Sequence, residues 1–290
     1  MNHNTQSQSR WGWWLAPGLV TLLVAACSPA AVEPSSQNQV SAKPTETTAV
    51  ATEVNTPIAD ATPAPPVERS QTTAPVAAAP NIATYTPQQA MAGFSSDGQY
   101  FMILESWRDT GAGIPHAAMQ TVQLSSNTCV AQGCARTRLS ESQSNQTTDF
   151  AENSLLQQTQ DLRQSLQLTS PTPGQVLPIQ QRSRTANGTE TVRVQLANQQ
   201  PLTLTLRQQQ GVRRDGDAEI EQAAMQLEVM VNGQRRSLGS LRNLQDWQVA
   251  YTIREVRQSP DGKTIAVLIT AAERAFEGTL GLTRVQGFSL

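Results

Sequence analysis

Short runs of alternating or β-branched residues dominate the chain from about residue 84 onward. Alternation of apolar and polar residues with a period of two is typical of half-buried strands. The runs predict strands at 99–105, 118–124, 176–180, 189–196, 202–207, 224–231, 248–256, 264–270 and 279–285.

Dipeptides of Asn or Asp followed by Gly separate many of these runs. Glycine at the second position tolerates positive φ, so each dipeptide closes a hairpin at little cost. The clearest predicted hairpin spans residues 225–238 around Asn232-Gly233. The other four dipeptides are Asp97-Gly98, Asn187-Gly188, Asp215-Gly216 and Asp261-Gly262.

One segment has helical periodicity instead. Asp149 with Glu152 resembles a capping box at its start, and Pro171 ends it. Its apolar stripe is expected to pack on the core rather than to form a ligand groove. The stripe comprises Leu155, Leu156, Thr159, Leu162 and Leu166.

These elements predict a mainly β fold: an antiparallel sandwich or barrel-like domain with one inserted amphipathic helix. The segment 258–265 echoes 94–101, and its Ser-Pro-Asp-Gly suits a type I turn of the kind found in β-propeller blades. The five Asx-Gly turns, however, fall 90, 28, 17 and 29 residues apart. Propeller blades recur roughly every 40 to 50 residues. A small degenerate propeller is therefore the second alternative.

The N-terminus predicts export. A polar start containing Arg10 leads into an apolar run at 11–26 that is too short to span a bilayer comfortably, so residues 1–26 are typical of a signal peptide. Small residues before Cys27 fit a lipoprotein signal peptidase, whose substrate thiol takes the lipid before cleavage. We expect Cys27 to carry acyl chains such as palmitate and to become the mature N-terminus. An ordinary signal peptide and an uncleaved anchor are the alternatives.

Residues 27–83 are expected to form a disordered linker behind that lipid. Residues 28–83 contain nine prolines and no aromatic residue, and such a composition buries too little apolar surface to offset the ordering entropy. A linker of this length reaches from about 40 Å as a flexible coil to roughly 170 Å as polyproline helix. Residues 84–290 are long enough for a single β-rich domain with its own core.

Charge and glycine patterns argue against two classes of partner. Residues 84–290 carry 17 Arg and one Lys against 18 Asp and Glu, whereas nucleic-acid binding requires a basic face. Gly111 and Gly113 precede a Pro and a strand rather than a helix, so nucleotide binding is not expected. We expect no nucleic acid, nucleotide or cofactor.

Catalytic and metal-binding sets are sparse. His116 is the only histidine after the signal peptide, so a Ser-His-Asp triad or a Cys-His nucleophile would have to use it, and a multi-histidine metal site cannot form. We expect an ordinary surface or hydrogen-bonding histidine. Neither a catalytic residue nor a metal site is assigned.

Cys129 and Cys134 remain once Cys27 is lipidated. Outside the cytoplasm such a pair usually oxidises, and the four intervening residues let the chain turn back within disulfide range. We predict a structural disulfide. Zinc is the rival interpretation, although a structural zinc site needs four ligands.

Three carboxylates are weak catalytic candidates. Glu105, Asp109 and Glu277 flank two motifs described below, and paired carboxylates perform acid-base chemistry or hold calcium. A carboxylate-dependent hydrolase requires these three side chains within about 10 Å of each other in one cleft.

Several motifs give a family resemblance. They are Phe94-Ser-Ser-Asp-Gly-Gln-Tyr-Phe101 with Glu105, Gly111-Ala-Gly-Ile-Pro-His-Ala117, Ser259-Pro-Asp-Gly-Lys-Thr-Ile-Ala-Val267 and Phe276-Glu277-Gly278. The chain resembles an uncharacterised family of predicted secreted bacterial proteins in these segments, which lie at both ends of the domain. The resemblance implies export and brings no assigned reaction.

The leading hypothesis is an exported envelope lipoprotein, anchored to a bacterial membrane on its periplasmic or outer-surface face. Its domain is expected to bind an envelope protein or glycan without catalysing a reaction. A carboxylate-dependent envelope hydrolase and a structural or assembly lipoprotein are the alternatives.

Overall fold

The computed structural model describes residues 77–290. The predicted signal peptide, Cys27 and the linker as far as residue 76 lie outside the described residues. In chain order the elements are β1 (Gln88–Phe94), β2 (Tyr100–Arg108), β3 (Pro115–Gln123), β4 (Thr128–Arg138), a 3₁₀ turn (Glu141–Gln143), α1 (Thr148–Gln158), α2 (Gln160–Ser165), β5 (Gln175–Val176), β6 (Ile179–Arg184), β7 (Glu190–Gln195), β8 (Pro201–Asp215), β9 (Ala218–Val231), β10 (Gln234–Gly239), β11 (Gln245–Asp246), β12 (Gln248–Gln258), β13 (Thr264–Arg274) and β14 (Thr279–Ser289).

The strands form three antiparallel sheets that stack as layers. The N-terminal sheet has the order β1-β2-β3-β4, the central sheet β14-β13-β12-β5, and the long-hairpin sheet β10-β9-β8-β7-β6 with β11 beside β9. One face of the central sheet packs on the long-hairpin sheet around Val267 and Leu204, and its other face packs on the N-terminal sheet around Leu268 and Phe101. The helices cover the remaining face of the N-terminal sheet.

Continuous apolar runs mark the strands that are covered on both faces. Residues 101–106 of β2 and 264–269 of β13 are all buried. Successive side chains of a strand point to opposite faces, so a strand between two layers needs apolar residues at nearly every position. β8 instead alternates, with Leu202, Leu204 and Leu206 buried and the residues between them partly exposed.

All five Asx-Gly dipeptides lie in turns between paired antiparallel strands. Their glycines have φ from +62° to +80°, a range in which a Cβ is disfavoured. The predicted hairpin at 225–238 is confirmed, because β9 and β10 pair from Val231 with Gln234 to Gln226 with Gly239.

The two echoing segments form the same turn. In each turn the serine hydroxyl donates to the aspartate two residues later at 2.5 Å, from Ser95 to Asp97 and from Ser259 to Asp261. The same hydroxyl accepts a backbone N–H at 3.0 Å, from Tyr100 in the first turn and from Thr264 in the second. The two turns also touch, since Thr264 Oγ1 donates to the Gly98 carbonyl at 2.7 Å. The meanders β1-β2-β3 and β12-β13-β14 are therefore an internal repeat packed face to face.

Side chains of the N-terminal sheet satisfy one edge of the central sheet. β14 is an edge strand, and unpaired N–H groups on such a strand invite pairing with other chains. Side-chain oxygens from β2, β3 and the following turn accept these N–H groups. The bonds are Thr283 to Glu105 at 2.9 Å, Val285 to Gln120 at 3.4 Å and Gly287 to Asn127 at 2.7 Å.

On the other side of the central sheet, the two-residue β5 pairs with β12 at Arg257 and Gln258, and the long-hairpin sheet satisfies the rest of the β12 edge in the same manner. Its side chains both accept strand N–H groups and donate to strand carbonyls. Tyr251 N–H donates to Gln208 at 3.0 Å, Ile253 N–H to Glu190 at 3.3 Å, Arg182 to the Ile253 carbonyl at 2.9 Å and Gln210 to the Val249 carbonyl at 2.7 Å. Hydrogen bonds, as well as apolar packing, therefore hold the three layers in register.

The helical segment differs from its prediction in two respects. It is divided into α1 and α2 at Thr159, whose φ of −109° and ψ of 12° are not helical. The predicted capping box is wrong, because Thr147 is the N-cap residue and the Glu152 carboxylate accepts the Ser106 hydroxyl instead. The stripe does pack on the N-terminal sheet, with Leu155 fully buried there.

A disulfide joins Cys129 and Cys134, whose Cα atoms are 6.1 Å apart. It lies on β4, at the edge of the N-terminal sheet. β4 pairs with β3 at Cys129 and at Cys134, and the register shifts between these two positions. Gln132, with φ of +62°, turns the extra residues outward, so the bond closes a bulge.

The mainly β, antiparallel class with an inserted helical segment is confirmed, and none of the three sheets closes into a barrel. The predicted strands missed β1, β4 and the two-residue β11. β4 is largely exposed and has a bulge, so its sequence lacks a regular alternation. Among residues 77–290 there is no helix that is long and apolar enough to cross a membrane.

Substitution of Glu190 tests how much the edge bonds contribute. Glu190 is fully buried, accepts Thr252 Oγ1 at 2.7 Å and pairs with the buried Arg182. Glu190→Ala leaves a buried guanidinium without a counter-charge, so we expect a loss of about 3–5 kcal/mol in the free energy of unfolding, measured in urea. Glu219→Ala, which removes an exposed pair with Arg214, is the control and should cost less than about 1 kcal/mol. Equal losses would contradict a structural role for the edge bonds.

The disulfide is tested by alkylation and mass spectrometry of the exported protein. Without reductant, Cys129 and Cys134 should both resist alkylation. The double variant Cys129→Ala, Cys134→Ala should lose about 2 kcal/mol, because the closed loop is small. Two freely alkylated thiols in the untreated protein would show that the bond does not form in the cell.

Candidate functional site

An open cleft of about 420 Å³ lies between two equivalent loops of the internal repeat. Loop 109–114 joins β2 to β3, and loop 275–278 joins β13 to β14. Because the two meanders pack face to face, these loops lie side by side at one end of the sheets. Both loops contribute lining residues, and Arg136 of β4 closes one side.

Arg108 holds the first loop in place. Its guanidinium donates to the Gly113 carbonyl at 2.6 Å within the loop and to the Ser144 carbonyl at 2.8 Å after the 3₁₀ turn. Asp109 N–H donates to the Ile114 carbonyl at 3.0 Å, and Gly113 has a φ of +66°. This side of the cleft is therefore built before any ligand arrives.

A stacked aromatic pair lies beside that loop. Trp107 and His116 are opposite each other in the β2–β3 register, and their rings stack at 5.3 Å with planes 16° apart. His116 Nε2 lies 3.6 Å from Asp109 Oδ2, just beyond hydrogen-bond range. The cross-strand position fixes the imidazole between an indole ring and a carboxylate.

Burial and neighbouring charges set the protonation of this pair. Burial lowers the pKa of His116 below its ordinary value, and Arg138 and Arg136 lower it further, although Asp109 opposes the shift. Burial alone would raise the pKa of Asp109. Hydrogen bonding to its carboxylate outweighs burial and lowers the pKa of Asp109; the donors are the backbone N–H groups of Ala112, Ile114 and Gly113 and the His116 side chain. At neutral pH the site therefore contains a neutral imidazole and an ionised carboxylate.

The second wall adds an ion pair and an exposed aromatic ring. Arg136 Nη2 lies 3.2 Å from Glu273 Oε2, which links β4 to β13. Phe276 leaves 84% of its surface exposed and lies beside Gly111 of the opposite loop. The cleft thus presents ring surfaces next to charged hydrogen-bonding groups, an arrangement suited to a ligand with both polar and apolar faces.

The three predicted carboxylates do not share this cleft. Asp109 lines it, but Glu105 is buried in a separate cavity, where it accepts the Thr283 backbone N–H at 2.9 Å. Glu277 is exposed and is not among the lining residues, while its backbone N–H donates to Thr110 Oγ1 at 3.2 Å. The arrangement therefore gives no support to a three-carboxylate catalytic centre.

The structure brings no metal-ligand set together. Within residues 77–290 there is no group of three or more His, Cys, Asp or Glu side chains arranged to hold a metal ion. His116 and Asp109 form a pair, and the hydroxyl-bearing side chain among the residues lining the cleft is that of Thr110.

Sequence reasoning missed Trp107, Arg136, Glu273 and Phe276. The spacing of Trp107 and His116 around a Gly-rich loop was a usable signal, because hairpin residues equally distant from the loop face each other. Arg136 and Glu273 are far apart in the sequence and meet only because the two sheets pack. No local pattern reveals such a contact.

Comparison with protein families gives one match. A family model described as Predicted secreted protein (DUF2259) matches residues 108–281, which is more than half of the chain. The matched range includes both loops of the cleft, Arg136 and Glu273. A search of the curated proteins finds no match.

The pKa of His116 predicts a pH-dependent stability. The unfolded chain gains a proton at His116 below about pH 6.5, whereas the folded chain resists it, so the stability present above that pH is lost as the pH falls. The lowered pKa of Asp109 affects the unfolding free energy only near and below the ordinary value of 3.8, so it does not contribute between pH 7 and pH 5. His116→Gln should therefore flatten the fall in unfolding free energy between about pH 7 and pH 5, measured in urea. Parallel profiles for the two proteins would contradict the prediction.

Proposed function

The chain belongs to the DUF2259 family of predicted secreted proteins, and we propose that it is a lipid-anchored envelope protein whose cleft binds a glycan. Cys27 carries the lipid, and the linker to residue 83 holds the folded domain away from the membrane. The domain binds its ligand without catalysing a reaction. The cleft between loops 109–114 and 275–278 is the observation that supports this function.

The shape of the cleft favours a glycan segment over a protein surface. A volume of about 420 Å³ lies within the ordinary range for sites that enclose a small ligand. Protein partners usually need broad contact, about 800 Å² on each side. A few sugar units present apolar ring faces and polar edges, which match Phe276 and the charged side chains beside it.

The rigidity of the site supports binding as well. The Arg108 bonds hold the backbone of one wall, and the Arg136–Glu273 pair links β4 to β13 at the other. A preformed site loses little conformational entropy when it is occupied, so more of the contact energy remains as affinity. A polymer in the envelope offers many copies of one short unit, which such a site can hold.

Photo-crosslinking in intact bacteria tests the ligand. A crosslinking amino acid at Phe276 should give adducts that glycosidases shorten, whereas one at Val212 should give none. Val212 is the matched control because it is also an exposed apolar residue, 59% exposed, on the long-hairpin sheet. A discrete adduct that only proteases shorten would replace the glycan by a protein partner. Equal adducts at both positions would reject the cleft as the site.

Labelling with palmitate tests the anchor separately. The native chain should incorporate the label and sediment with membranes. Cys27→Ser should lose the label and appear in the soluble fraction. Incorporation that survives Cys27→Ser would reject Cys27 as the lipidated residue.

A further inference from the structure

A smaller cavity of about 220 Å³ adjoins the cleft, and Arg136 lines both spaces. Its walls come from β2, β3, β4 and β14. The charged side chains that face it are Glu105, Arg136 and Arg284. The Arg136–Glu273 ion pair therefore lies where the cleft and the inner cavity meet.

Arg284 forms no ion pair in this cavity, although Glu105 also lines it. Arg284 is partly buried on β14, and no hydrogen bond or ion pair joins it to another side chain among residues 77–290. Even partial withdrawal of an arginine from water is unfavourable when no carboxylate pairs with it. A positive group of this kind requires an explanation.

The carboxylates near Arg284 are already engaged. Glu105 accepts the Thr283 N–H and hydroxyl and lies 3.5 Å from Arg254. Glu273 pairs with Arg136 and accepts Gln248 Nε2 at 3.2 Å. Neither is hydrogen-bonded to Arg284, so no carboxylate of the described residues pairs directly with this guanidinium.

Arg136 adds a second positive charge to the same cavity. Burial lowers the pKa of Arg284, and repulsion from Arg136 lowers it further, although Tyr251 and Glu273 oppose the shift. Water can satisfy the N–H groups of both guanidinium groups but does not remove their mutual repulsion. An anion between them does both, since guanidinium pairs well with carboxylate and phosphate oxygens.

We infer that this inner cavity is an oxyanion subsite, in which Arg284 and Arg136 bind a carboxylate or phosphate group carried by the ligand of the cleft. The inference rests on the proposed function and specifies it: the glycan is acidic. A water molecule takes about 30 Å³ in the liquid, so 220 Å³ accommodates one such group and some water. The sugar ring that carries the group remains in the cleft beside Phe276.

Titration of the full-length lipidated chain in detergent tests the subsite. The probes are sodium phosphate and sodium acetate, with sodium chloride at matched ionic strength, and the readouts are calorimetry and the melting temperature. We expect at least one oxyanion to bind and to raise the melting temperature, which chloride does not do. Arg284→Met should weaken that binding at least tenfold. Arg193→Met, a change at an exposed arginine of β7, is the control and should leave it unchanged. Absence of binding by both oxyanions would overturn the inference.

Stability without ligand provides an independent readout. Removing a partly buried charge that has no ion-pair partner costs the fold little, so Arg284→Met should melt at the same temperature as the native chain or higher when no oxyanion is present. A strongly lowered melting temperature would show that Arg284 serves the fold, and would overturn the inference even if oxyanion binding were lost.

Sugars distinguish the two oxyanions and link the subsite to the cleft. Glucuronic acid, glucose 6-phosphate and glucose differ only in the acidic group, and we expect one acidic sugar to bind at least tenfold more tightly than glucose. Arg284→Met should remove that preference and reduce the crosslinks at position 276 in cells. Unchanged glycan crosslinks in Arg284→Met would overturn the acidic-ligand inference while the proposed function stands. Oxyanion binding without any crosslink at position 276 would instead reject the proposed function.

Discussion

Hydrogen bonds from side chains to the open edges of the central sheet connect the layers of this domain. Apolar faces hold stacked sheets together, but apolar contacts alone do not fix how far one sheet slides over the next. Glu105 and Gln120 bind one edge strand, and Gln208 and Glu190 bind the other. Each bond requires one strand residue opposite one side chain, so these bonds fix the relative position of the three sheets. They also occupy N–H groups of β12 and β14 that could otherwise pair with another chain.

That fixed position also creates the cleft. The two meanders of the repeat bring their Ser-x-Asp-Gly turns into contact at one end of the sheets. Loops 109–114 and 275–278 face each other at the opposite end of β2 and β13, since they occupy equivalent places in the two copies. Differences between the copies supply the chemistry: one loop carries Asp109 beside His116, and the other carries Phe276 beside Glu273. The internal repeat therefore positions the cleft, and sequence differences between its two copies place different chemical groups on the two walls.

The same edge bonds decide the electrostatics of the inner cavity. Glu105 is used on the backbone of β14, so it is unavailable to Arg284 one residue beyond Thr283. A carboxylate that was a catalytic candidate in the sequence is thus a structural group. Arg284, to which the sequence assigned no role, is the charged group of this cavity that lacks a hydrogen-bond partner among the described side chains. Glu190 repeats this use of a buried carboxylate at the opposite edge.

The local features follow from the sequence alone, because each depends on residues close together in the chain. The Asx-Gly turns follow from backbone sterics, the doubly buried strands from continuous apolar runs, and the pairing of Cys129 with Cys134 from short spacing. The sequence could place Asp109 and His116 near each other, but it could not predict that Arg136, Glu273 and Phe276 lie beside them. Those neighbours and the role of Glu105 depend on which sheet faces which and in what register, so they follow from the tertiary fold and not from a sequence pattern. That choice is made by side chains distant in sequence that share one strand edge, and no local pattern encodes it.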